Sequence, residues 1–97
     1  MTIWWDEQDE QRQAKINTVL DTDRGRQCLS LARDDRGFAA WLLVADLTCR
    51  RRYGLSIFDL ADWAWRVAYD DDQTPEAALL DALAADDVGA LLLGSQQ

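Results

Sequence analysis

Apolar side chains recur along this chain mostly at helical spacing. The clearest stretch runs from about Phe38 to Tyr53, where Phe38, Trp41, Leu42, Ala45 and Cys49 form one stripe. Ala40, Leu43, Val44 and Leu47 form a second stripe beside it. A helix apolar on two faces belongs in the middle of a bundle. Asp34 or Asp35 is placed to cap its start. Arg50, Arg51 and Arg52 fall in its last turn, where the helix dipole favours cations, and Gly54 follows as a left-handed cap.

The next stretch carries a dense helix-start signal. Ser56 and Asp59 make an Asp variant of the capping box, and Leu55 and Leu60 are spaced as a hydrophobic staple. The pattern predicts one continuous helix over 56–69. Ile57, Leu60, Ala61, Ala64 and Ala68 mark one apolar face, and Phe58, Trp65 and Tyr69 a neighbouring one. Asp59, Asp62 and Arg66 line its solvent side, with Asp62 and Arg66 at ion-pair spacing. Asp70, Asp71 and Asp72 oppose the negative end of the dipole, so the helix should stop near Tyr69.

Thr74-Pro75-Glu76 is a third start signal: cap, proline at the first helical position, acid in the first turn. Leu79, Leu80, Leu83 and Ala84 supply a core face, and the helix should end near Asp86 or Asp87. Ala90-Leu91-Leu92-Leu93 then forms an apolar tail that docks on the core or meets a partner. Residues 1–24 are more polar and predict a loosely packed helix, with Ile16, Val19 and Leu20 on one face. Residues 26–33 admit a short helix or, by their alternation, a strand ending in an Asp34-Asp35-Arg36-Gly37 turn. The helix is preferred, because its hairpin partner at 38–44 follows a 3.6-residue period. The expected fold is an all-α, compact bundle of four or five short helices in a single domain over 1–97.

Composition sharpens this picture. In 97 residues there is room for one core only. The formal net charge of −8 is unevenly spread, at −3 over 1–24, +3 over 25–56 and −8 over 57–97. Such a chain repels phosphate backbones and anionic membranes, so direct nucleic-acid binding is disfavoured. No run is long enough to span a bilayer, and no targeting segment is expected. Two cysteines and no histidine give neither a disulfide framework nor a metal motif, so a cytoplasmic setting without cofactor or metal is expected.

The segment 44–83 carries Gly54-Leu55-Ser56, Asp59-Leu60, Trp65-Arg66, Tyr69-Asp70-Asp71 and Pro75-Glu76. In this it resembles a diffuse set of short, uncharacterised bacterial and phage proteins. The resemblance covers less than half of the chain. It implies the helix boundaries above and an origin in a phage or other mobile element, and it brings no catalytic residue. Similar proteins carry Gly where this chain has Asp72, at the turn after the second helix.

Each cluster of chemistry-bearing residues has a structural reading. Asp70-Asp71-Asp72 with Glu76 offers oxygen ligands, but a calcium loop starting at Asp70 would need Gly and Glu where Pro75 and Asp81 stand. A solvated acidic turn is preferred. Arg50–Arg52 reads as a helix-end cation cluster, with Asp46 and Arg50 paired, before it reads as an anion grip. Cys28 and Cys49 lack a base and read as small buried apolar residues. Asp59 and Asp62 lie on a polar stripe, without the burial that acid–base work needs. No enzymatic activity is expected.

Five tryptophans in a chain of this size point to at least one interface aromatic. The expected role is a small acidic protein–protein interaction or regulatory accessory protein. Its partner-binding candidates are Trp63, Trp65, Tyr69, Asp70, Asp71 and Asp72. On a single helix Trp63 and Trp65 would point to different sides, so only one would be central to the core. The partner would be a basic protein surface, or a second copy in a homodimer. The alternative is a nucleic-acid mimic, with acids at 59, 62, 70–72, 76, 81, 86 and 87 imitating phosphates to block a DNA-binding protein.

Overall fold

A computed structural model describes residues 4–33, 35–60 and 63–85. Among the described residues the fold is a small all-α bundle of five helices: α1 (Glu10–Leu20), α2 (Asp23–Leu31), α3 (Arg36–Tyr53), α4 (Trp65–Asp70) and α5 (Pro75–Ala85). One 3-10 turn, Ile57–Asp59, lies between α3 and α4. No described residue is in a strand, so residues 26–31 take the helical alternative as part of α2.

α3 is the axis, and every other helix packs against it. Asp35 caps its start by accepting from the Phe38 amide. Gly54 ends it at φ 73°, with its amide donating to the Arg50 carbonyl. Both apolar stripes expected on α3 are covered, except that Val44 is half-buried and Leu47 is 36% exposed.

α1 docks through Ile16 and Leu20 and is tied to the chain before it. The Gln8 and Gln13 side-chain amides donate to the carbonyls of Trp4 and Trp5. α2 follows after one tight turn, and Gly25 lets it cross α1 at backbone distance. A Cβ at Gly25 would collide with the Leu20 backbone.

The continuous helix expected over 56–69 does not form. The capping box does: Ser56 Oγ accepts from the Phe58 amide, and the Asp59 carboxylate accepts from the Ser56 amide. It starts one 3-10 turn only. Leu60 is extended at ψ 161°, and α4 begins anew at Trp65 without a side-chain cap. The reason lies in packing. On one helix Ile57, Leu60, Trp65, Ala68 and Tyr69 would spread over an arc of about 180°. The break turns all five into the core against α3. Ala61 and Asp62, and with them the proposed Asp62–Arg66 pair, lie outside the described residues.

The turn after α4 closes as a Schellman motif. The Gln73 amide donates to the Ala68 carbonyl, and the Asp72 amide to that of Tyr69. Asp72 occupies the left-handed position at φ 63°, a conformation that glycine adopts more readily. Thr74 then caps α5 by accepting from the Ala77 amide. The core face of α5 is Ala78, Leu79, Ala82 and Leu83, not the expected 79, 80, 83 and 84. Leu80 is 45% exposed and Ala84 is exposed. α5 is almost all Ala and Leu, so its sequence has no polar side to fix its rotation. The tail Leu91–Leu93 lies outside the described residues.

Candidate functional site

The six partner-binding candidates converge on α4 and its flanks but divide into two layers. Trp65 and Tyr69 are core, 8% and 7% exposed. Both rings meet the fully buried Trp41 edge-on, at 6.2 Å and 5.9 Å between centroids. Phe38 completes the cluster, 5.0 Å from Tyr69 and 6.0 Å from Trp41. The Trp41 indole N–H reaches the Gln73 carbonyl at 2.9 Å, pinning the turn after α4 to α3. These two aromatics therefore cannot serve as the exposed anchors expected of them. Tertiary packing took them, because one side of the segment had to cover Trp41.

Asp70, Asp71 and Asp72 stay exposed. Trp63 is half-buried in the irregular segment before α4, not on a helix, and its indole N–H finds no acceptor among the described residues. The apolar side chain that faces outward on α4 is Val67, at 59% exposure. It shares a helical face with Asp70 and Asp71 at i+3 and i+4. Nothing in the sequence singles out Val67. A valine on a helix that was assumed to continue has no feature that marks it as outward.

Arg66 fixes this layer from the side. Its guanidinium bonds Asp35 at 3.0 Å and Asp70 at 3.2 Å. It also lies over the rings of Phe38 and Tyr69, at 5.2 Å and 5.5 Å. Burial above all, then the Asp35 charge, pushes the Tyr69 phenol above its ordinary value. Arg66 also borders a cleft of about 400 Å³ with Leu31, Ala32, Arg33 and Phe38.

The remaining candidates fall into structural roles. Asp46 is fully buried and accepts three hydrogen bonds: from Ser56 Oγ at 2.6 Å, the Ile57 amide at 3.0 Å and Arg50 Nε at 3.1 Å. This carboxylate holds the 3-10 turn onto α3. Its pairing with Arg50 was legible from spacing, but its reach to Ser56 and Ile57 was not. Cys28 and Cys49 are fully buried, and burial pushes their thiols up to about 12 and about 11. Such thiols are inert as nucleophiles near neutrality. Among the acids offered as phosphate mimics, Asp59 closes the capping box, Asp70 pairs with Arg66, and Asp81 accepts from the side-chain NH2 of Gln73. Among the described residues no three acidic or sulfur side chains converge as metal ligands, and no helix is long and apolar enough to cross a membrane.

No protein family, curated protein or solved structure matches this chain.

Proposed function

We propose that this chain is a protein–protein interaction module, a small cytoplasmic accessory protein that works by occupying a partner's surface. Its contact face is the outer side of α4 with the turn that follows: Val67, Asp70, Asp71 and Asp72, with Trp63 at the edge. The observation that carries the reading is Val67, the most exposed large apolar side chain among the described residues, beside a row of carboxylates. The aromatic cluster beneath holds this face rigid, so little ordering entropy is lost on binding. Val67 would supply the apolar contact, and the acids would steer a basic partner. A place in a phage or other mobile element, which the resemblance implies, belongs to the same proposal.

The test is affinity capture from a lysate of the source organism, with three baits compared by quantitative mass spectrometry. Wild type should enrich a partner that Val67→Arg loses. An Asp71→Asn/Asp72→Asn bait should retain it weakly and with altered salt dependence. Equal enrichment by all three baits defeats the proposal. A partner insensitive to Val67→Arg, but lost steeply with salt and with the asparagine variant, would instead favour nucleic-acid mimicry.

A further inference from the structure

Another side of α3 carries a groove that the acidic face does not explain. Its floor is Val44, Leu47 and Thr48 of α3, joined by Ile16 of α1, with Leu47 the most exposed of the four. α1 and the start of α5 flank it, leaving a slot of about 400 Å³ between them. Its rim is cationic: Arg12 and Lys15 on α1 and Arg51 on α3, against the single carboxylate of Glu76. Arg12, Lys15 and Arg51 form no ion pair with any described residue, whereas Arg50, next to Arg51, is bound to Asp46. A patch of unpaired cations around exposed leucine is unexpected on a chain with a net charge of −8.

We infer that this groove is a second docking site, which takes an acidic amphipathic segment of a partner protein. Two observations select that occupant. The floor is apolar and asks for aliphatic or aromatic side chains, which a nucleic acid backbone does not offer. The rim asks for carboxylates, placed either side of those anchors. Three cations on a strongly acidic chain are too few to hold a polyphosphate or an anionic membrane against the repulsion of the whole molecule. The volume suits a few side chains of one helix turn or extended strand. With the α4 face at another part of the surface, the chain would then bridge a basic partner and an acidic one.

A display library of random 14-residue peptides, selected on the wild-type chain, tests this directly. Counter-selection uses Leu47→Asp/Arg51→Glu, two changes at exposed positions whose folding is checked by circular dichroism. Groove-dependent peptides should be net acidic, with two apolar residues three or four positions apart. In fluorescence anisotropy, Leu47→Asp should weaken the best of them at least tenfold and Arg51→Glu about threefold, while Asp71→Asn/Asp72→Asn leaves binding unchanged. Amide shifts of Val44, Leu47 and Thr48 on titration should locate the site. Recovery of cationic peptides, or of none that the double variant loses, overturns the inference. So does tighter binding of a 20-base-pair duplex or of phosphatidylserine vesicles than of any selected peptide. Because the acidic-face variant is carried in parallel, failure here is distinguishable from failure of the α4 contact face.

Discussion

α3 and the segment from 55 to 73 both begin with strong local helix signals, and only α3 becomes one helix. In α3 the start cap, the apolar stripes and Gly54 agree with the tertiary demand, because a central helix is wanted on nearly every side. In the later segment the capping box of Ser56 and Asp59 is satisfied, but the chain turns extended at Leu60. It restarts at Trp65 so that two aromatics can close on Trp41. A start signal fixes where a helix begins. Packing decides how far it runs.

The largest effect falls on the residue that serves both regions. Trp41→Ala should cost about 3–5 kcal/mol, a large part of the roughly 5–15 kcal/mol available to a domain. Urea unfolding followed by far-ultraviolet circular dichroism should show the midpoint collapse. A variant with near wild-type stability would deny that ring its central place.

Asp46→Leu separates the two regions. It leaves the Ser56 and Ile57 donors without their buried acceptor and should cost about 3 kcal/mol. Hydrogen exchange should accelerate more at the Ile57 and Phe58 amides than along the middle of α3. Uniform acceleration would mean that the 3-10 turn is held by something else.

The two left-handed caps sharpen the contrast at smaller scale. Nothing lies within 4 Å of a Cβ at Gly54, so Gly54→Ala carries conformational strain alone, about 1–2 kcal/mol. Asp72→Gly relieves strain of the same kind and should stabilise by about 1 kcal/mol or less. Thermal melts of both variants, moving in opposite directions, check the pair.

A further test is one of pH. The Cys28 and Cys49 thiols rise on folding from 9.0 to about 12 and about 11. An acid whose folded value lies above its unfolded one contributes fully below about pH 9, and that contribution fades as pH climbs through the folded values. Tyr69 shifts in the same direction. Urea midpoints should therefore fall between pH 8 and pH 10.5, with a shallower slope in Cys28→Ala/Cys49→Ala. An unchanged slope in that variant would clear the thiols of the effect.

What was legible in the sequence is what acts over one helical turn. The cap at Asp35, the stop at Gly54, the capping box at Ser56, the Thr74-Pro75-Glu76 start and the Asp46–Arg50 pair all stand as spacing implied. What was hidden acts across the chain. Arg66 reaches back to Asp35, and the Trp41 indole reaches forward to Gln73. Asp46 reaches Ser56 and Ile57 from inside α3. The burial of Trp65 and Tyr69 was hidden for the same reason: no local rule tells an outward aromatic from one that covers a neighbour. The rotation of α5 was ambiguous because alanine and leucine do not tell inside from outside.

The edge-on contact of Trp41 and Trp65 equips the chain with its own optical gauge. Indoles held rigidly at 6.2 Å in a chiral setting give a near-ultraviolet dichroic band that vanishes once the rings tumble. Loosening of the interior would thus be visible by its own chromophores, without a label, even while the helices themselves persist.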